Sequence, residues 1–165
     1  MSNRHAALFA FVVGSSSSLL GCIGDNETVV FVEPTVEAPA AAIAGSVLGV
    51  TVTGSFKLHL VLGPRASGPS TVQLGSFALT DALNQTSLVP SLSLVTKSTL
   101  PIVLALDSET TVDFTFDIGD KTVPTETQTA LCLPAGVRIA GTILDSLETG
   151  ASPVASAVFS PTGCM

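Results

Sequence analysis

Few side chains in this sequence are equipped for chemistry, and their spacing decides which chemistry is open to them. A Ser–His–Asp hydrolase needs an imidazole held as a base beside a hydroxyl. The chain has two histidines, His5 and His59. His5 stands at the N-terminus, just ahead of an apolar run, so His59 is the one imidazole left for a folded domain. It sits in the alternating run Phe56-Lys-Leu-His-Leu-Val-Leu62. That phase turns His59 away from the core, beside Lys57. No Gly-x-Ser-x-Gly elbow is present. His59 therefore reads as a solvated strand residue. The densest carboxylates are Asp107, Glu109, Asp113, Asp117 and Asp120. Asp113 and Asp117 share one strand face, and Asp120 falls in the turn that follows. A calcium loop needs closely spaced oxygen ligands around a sharp turn, and no Asp-x-Asp-x-Asp-Gly run is present. The acids read as a polar solvent face, with a weak cation site at Asp113, Asp117 and Asp120 as the alternative. Arg65, in Gly63-Pro-Arg-Ala-Ser-Gly-Pro69, could meet an anion, but no helix follows to help hold one. It reads as part of a hairpin loop.

No constellation reaches the level of a catalytic, metal or cofactor site, so none is expected, and the chain is read as a non-enzyme. A hydrolase working with carboxylates alone is the least favoured alternative. Trp and Tyr are absent, which removes the rings that stack on sugars or anchor protein interfaces. The net charge is −7. Nucleic-acid binding requires Lys and Arg to neutralise phosphates, and electrostatic docking on anionic lipid has the same need. Both are disfavoured. No small-molecule substrate is evident. Asn26 and Asn84 head Asn-x-Thr sequons.

The three cysteines, Cys22, Cys132 and Cys164, leave one thiol over from any internal pairing. The N-terminus bears on this. Met1 to His5 carries the single base Arg4. Ala6 to Val13 is an apolar run too short to span a bilayer. After Gly14 and Ser15–Ser18 comes Leu19-Leu20-Gly21-Cys22. This arrangement resembles the signal and lipobox of bacterial lipoproteins.

The resemblance covers the first 22 residues or so. It implies diacylglycerol on the Cys22 thiol, cleavage before Cys22, and acylation of the new amine. Residues 1–21 would be lost, and Cys22 would hold the chain to a membrane. Two or more acyl chains give stable anchoring, at about 0.8 kcal/mol per buried CH₂. Ile23, rather than Asp, follows the cysteine, which in the enteric sorting rule implies the outer membrane. With Cys22 committed to lipid, Cys132 and Cys164 remain as a disulfide pair in an oxidising envelope. Cleavage removes Arg4 and no acid, so the net charge becomes −8.

The elements that carry these residues are strands. The chain is 46% hydrophobic and 12% charged, against roughly 25% charged in an average domain. Its apolar residues are mostly Val, Leu, Ile and Ala, interleaved with Ser, Thr and Gly. β-branched residues and Thr favour pleated, half-buried surfaces. Residues 22–45 form a lipidated N-terminus, a polar tether and a Pro/Ala-rich extended edge segment. From Ser46 the pattern is strand-like. The spacing predicts strands over 46–54, 56–62 and 72–79, the last with a bulge near Gly75-Ser76. Further strands are predicted over 88–94, 102–106, 112–118, 130–133, 137–144 and 154–159. About eight or nine short strands with regular turn signals argue for an antiparallel sandwich over 46–165. The pattern resembles, in general terms, the immunoglobulin-like sandwiches of bacterial envelope proteins. The functional expectation is a lipid-anchored structural or protein-interaction module whose partner the residues do not name. A carrier for an apolar ligand such as lipid is the alternative, to be told apart by an open cavity between the sheets.

Overall fold

Val112, Phe114 and Phe116 alternate with Asp113, Thr115 and Asp117, and that alternation fixes an interior strand of one sheet. A computed structural model describes residues 30–46, 49–118 and 123–164. Among them are nine strands and one short helix: β1 (Glu33–Ser46), β2 (Gly49–Leu62), β3 (Ser70–Asp81), β4 (Ser87–Val89), β5 (Ser93–Val95), β6 (Ile102–Leu104), β7 (Ser108–Asp117), α1 (Thr125–Leu131), β8 (Val137–Asp145) and β9 (Ser152–Ala155). Sheet A has the order β1-β2-β7-β5. Sheet B has the order β4-β3-β8-β9, with β6 also on β3. All strand pairs are antiparallel. The protein is an all-β sandwich.

The inward face of β2 supplies Phe56, Leu58, Leu60 and Leu62, all buried. Phe56 stacks on Phe114 of β7, centroids 5.3 Å apart, and on Phe77 of β3 in the other sheet, 5.5 Å apart. Close packing of these rings depends on missing side chains. A Cβ on Gly141 would stand 2.5 Å from the Phe77 ring, and one on Gly54 would strike the Phe116 ring and the Ala40 carbonyl. The bulge foreseen in β3 is present, as a register shift between Leu74 and Phe77. It lets Val72 and Phe77, an odd number of positions apart, both face inward.

The Pro/Ala-rich segment is the 14-residue edge strand β1, paired with β2 from Glu33 onward. Sheet A thus begins well before Ser46. Ala41 and Ile43 point inward. Pro39 falls at a bulge between Glu37 and Ala40, where Ala38 takes a φ of 45°. There a missing N–H costs no ladder bond.

Several strand expectations are corrected. The segments at 46–54 and 56–62 are one strand, β2, with Ser46 ending β1, and 102–106 shortens to β6. Residues 88–94 do not form one strand. Pro90 interrupts the ladder, so β4 stays on β3 while β5 crosses to β7. Ala130 and Leu131 end helix α1 rather than beginning a strand, and Leu131 is fully buried. Its four-residue apolar run is too short for periodicity to separate the two structures. The last strand stops at Ala155, not Phe159.

Beyond Ala155 the chain keeps isolated bonds to β8, the last at Val137 and Phe159, while it reaches across to β1. The buried Ser156 hydroxyl accepts the Ile139 N–H (3.0 Å), and Ser156 forms a parallel bridge to Val36. Further on, the Ile43 N–H donates to the Thr162 carbonyl and the Thr162 N–H to the Ala41 carbonyl, both 2.9 Å. The C-terminal segment therefore spans the gap between β9 and β1. On the opposite side, residues 87–104 pass from β3 to β7 and back. Both open sides of the sandwich are sealed by chain that changes sheets, which limits exposed ladder edges.

Two expected outcomes follow from this packing. Gly141→Ala should destabilise the domain by about 1–3 kcal/mol through overpacking. Phe56→Ala should cost about 3–5 kcal/mol. Both are measurable by urea unfolding followed by far-UV circular dichroism.

Candidate functional site

The outer face of sheet A gathers most of the polar side chains singled out above. Register sets them in rows across three strands: Glu37, Lys57 and Asp113; Thr35, His59 and Thr111; Glu33, Val61 and Glu109. Lys57 Nζ lies 3.6 Å from Asp113 Oδ1, with the two side chains 51% and 80% exposed. A pair this solvated contributes about 0.2–1 kcal/mol.

His59 has two partners that its own strand does not reveal. Its Nδ1 is 3.0 Å from Thr111 Oγ1 and its Nε2 is 3.7 Å from Glu109 Oε2. Hydroxyl, imidazole and carboxylate stand in the order of a nucleophilic triad. The physics differs from one. A triad carboxylate is buried and hydrogen-bonded, so that it fixes the imidazole's tautomer. The Glu109 side chain is 68% exposed and beyond hydrogen-bond distance. The arrangement is a cross-strand ladder on a solvated sheet. The partnership appears only in the β2–β7 register; the sequence alone offered His59 and Glu109 as separate residues.

The acids do not converge. Asp113 and Asp117 share the outer face of β7, as expected, while Asp107 lies in the turn before it with a φ of 54°. Asp120 and Cys22 lie outside the described residues. Among the described residues no three His, Cys, Asp or Glu side chains are grouped closely enough to hold a metal ion. Where β5 turns away from β7, a hollow of about 330 Å³ is lined by Val95, Lys97, Ser98, Thr111, Asp113 and Thr115. Arg65 is exposed in its loop, and that loop folds back through the Ala66 N–H on the Gly63 carbonyl.

Two carboxylates missed by the sequence reading are structural. Asp81 is buried and accepts the N–H groups of Leu83 (2.6 Å) and Asn84 (3.3 Å), shaping the turn after β3. Asp145, also buried, accepts the Val32 N–H (2.7 Å), the Leu147 N–H (2.9 Å) and the Ser70 hydroxyl. It ties the start of the described chain to β3, β8 and the turn into β9. An Asp in a predicted loop gives no hint of this; only the convergence of distant backbone donors does.

Cys132 and Cys164 are joined by a disulfide, with Cα atoms 5.5 Å apart. It connects the end of α1 to the segment that covers the edge of β1. The bond thus fastens the C-terminal seal to the body of the sandwich.

Comparison with models of known protein families, with characterised proteins and with solved structures finds no match for this chain. What the site defines is therefore read from its geometry: a rigid sandwich with a polar, acid-rich sheet face and a cross-linked tail.

Replacing Cys164 with Ser should cost about 3–4 kcal/mol, from a closed loop of 32 residues in the chain-entropy model. In hydrogen exchange, the added opening should concentrate at the Ile43 amide, which the tail protects. For the His59 ladder, His59→Ala should leave any hydrolysis of a p-nitrophenyl ester unchanged. A loss of activity in that variant would make the ladder a catalytic device.

Proposed function

We propose that this protein is a lipid-anchored component of the bacterial cell envelope, serving as a non-enzymatic structural or protein-interaction module. The observation that carries the reading is the order of elements ending in Leu19-Leu20-Gly21-Cys22. Arg4 precedes an eight-residue apolar run, and a small residue precedes the thiol. Cys22 is then the lipid-bearing N-terminus, and the outer membrane is its destination by the identity of Ile23.

The disulfide supports an oxidising compartment, since such bonds are rare in the cytosol. Pairing of Cys132 with Cys164 leaves Cys22 as the unpaired thiol for acylation. The space between the sheets is filled by Phe56, Phe77, Phe114 and the surrounding Leu, Ile and Val side chains. Filling of this kind favours a structural module over a carrier of apolar ligands. Among the described residues no helix is long and apolar enough to cross a membrane, and the reading relies on lipid for attachment.

Intact mass, measured on the protein made in a lipoprotein-processing bacterium, tests the reading. The expected product lacks residues 1–21, carries acyl mass on Cys22, and shows two alkylatable thiols only after reduction. An unprocessed chain with Cys22 free would overturn the anchor.

A further inference from the structure

The two outer faces of the sandwich differ in charge. Glu33, Glu37, Glu109, Asp113 and Asp117 lie on the outer face of sheet A, and Asp107 at its rim. Among the described residues, the outward positions of the sheet B strands carry no carboxylate, and Arg138 is their one charge. At one end sheet B presents apolar side chains, with the exposed Glu148 in the turn that follows β8. Val103 of β6, 69% exposed, pairs with Thr71. Leu144 of β8, 42% exposed, pairs with Gln73 two residues along the same strand. Leu100 is exposed beside them, lining a hollow with Gln73 and Pro101.

The N-terminus of the described chain meets the sandwich at this same end. The Val32 N–H and the Ser70 hydroxyl both donate to Asp145, the residue after Leu144. Ser70 in turn pairs with Leu104, the neighbour of Val103. Just ahead of Val32, Val30 and Phe31 are exposed as well. Eight residue steps separate Cys22 from Val30. A chain extended by 3.3–3.6 Å per residue spans at most about 29 Å over that length. A lipid on Cys22 therefore brings the bilayer within reach of the Val103–Leu144 end.

We propose that the outer face of sheet B, at its Val103–Leu144 end, rests against the lipid surface that holds Cys22. The acidic face of sheet A then points away from the membrane, free for a partner. This inference rests on the lipid-anchor reading above. An apolar, nearly uncharged sheet face beside a tether fits the headgroup boundary, where apolar side chains bury 5–10 Å deep. Turning the carboxylates outward also removes them from the negative potential of anionic lipid.

The absence of Trp and Tyr makes a direct test available, because one introduced indole reports one position. Full-length Val103→Trp, Gln73→Trp and Thr35→Trp proteins would be acylated in cells and reconstituted in phosphatidylethanolamine–phosphatidylglycerol vesicles with or without brominated acyl chains. Thr35, three residues after Val32, faces outward on sheet A. The expected result is at least about a twofold loss of fluorescence to bromolipid at positions 103 and 73, with little change at 35. An acylated, vesicle-bound protein with no quenching at 103 and 73, or equal quenching at 35, would overturn the proposed orientation and leave the anchor standing. A chain shown by mass to carry no lipid would overturn the anchor and the orientation together. Concentration-dependent dimers that shield the indole at 103 without bromolipid quenching would assign the face to a second copy and overturn the membrane contact.

Discussion

Phe56 is the ring on which the two sheets meet. It touches Phe114 and Phe116 within its own sheet and Phe77 across the gap, at centroid distances of 5.3, 6.5 and 5.5 Å. Its position constrains both layers. Gly54, two residues before it, leaves room for Phe116, and Gly141 leaves room for Phe77. With the rings seated, the alternation of β2 and β7 sends Lys57, His59, Thr111 and Asp113 outward as a matter of parity. The polar rows of sheet A are in this sense a by-product of how the aromatic core is filled.

The edges need a separate explanation, because a filled core does not by itself protect unpaired backbone. Here two irregular stretches do that work. Residues 87–104 lie along β3 and β7, and residues 156–162 lie along β1. The first is held by short ladders on both sheets, and it also buries Val89, Leu92, Ile102 and Leu104 in the core. The second is held by backbone bonds at Ser156 and Thr162 and by the disulfide beyond them. The buried carboxylate of Asp145 performs the same task at one end, collecting donors from three separate parts of the chain.

The legible part of the fold was the part governed by local periodicity. The period of two in β2, β3 and β7 was plain, and so was the bulge at Gly75-Ser76, where Val72 and Phe77 differ in phase. What was hidden depends on partners far along the chain. Nothing in Leu88 to Leu94 says that Pro90 separates strands of different sheets. The Pro and Ala content of β1 suggests weak structure, although pairing with β2 makes it one of the longest strands. Helix α1 ends in an apolar run too short to distinguish from a strand. The candidate residues follow the same division. The outward placement of His59 follows from alternation, but its contacts with Thr111 and Glu109 come from a register joining residues some fifty positions apart. Asp81 and Asp145 were unmarked, since a carboxylate that binds backbone looks like any other acid in a turn.

The bridges that seal β1 join the first described strand to the last segment of the chain, Val36 to Ser156 and Ala42 to Thr162. For a protein that emerges in order from its N-terminus, β1 can pair with β2 early, yet its outer edge has no partner until nearly every other residue has appeared. Contacts this distant in sequence form late and slowly. During that interval β1 presents an open ladder edge, and its protection rests on composition: Pro34 and Pro39 withhold N–H groups, and Glu33 and Glu37 place charge beside the edge. The residues that made β1 hard to recognise as a strand are thus those suited to keep it solitary until the tail arrives.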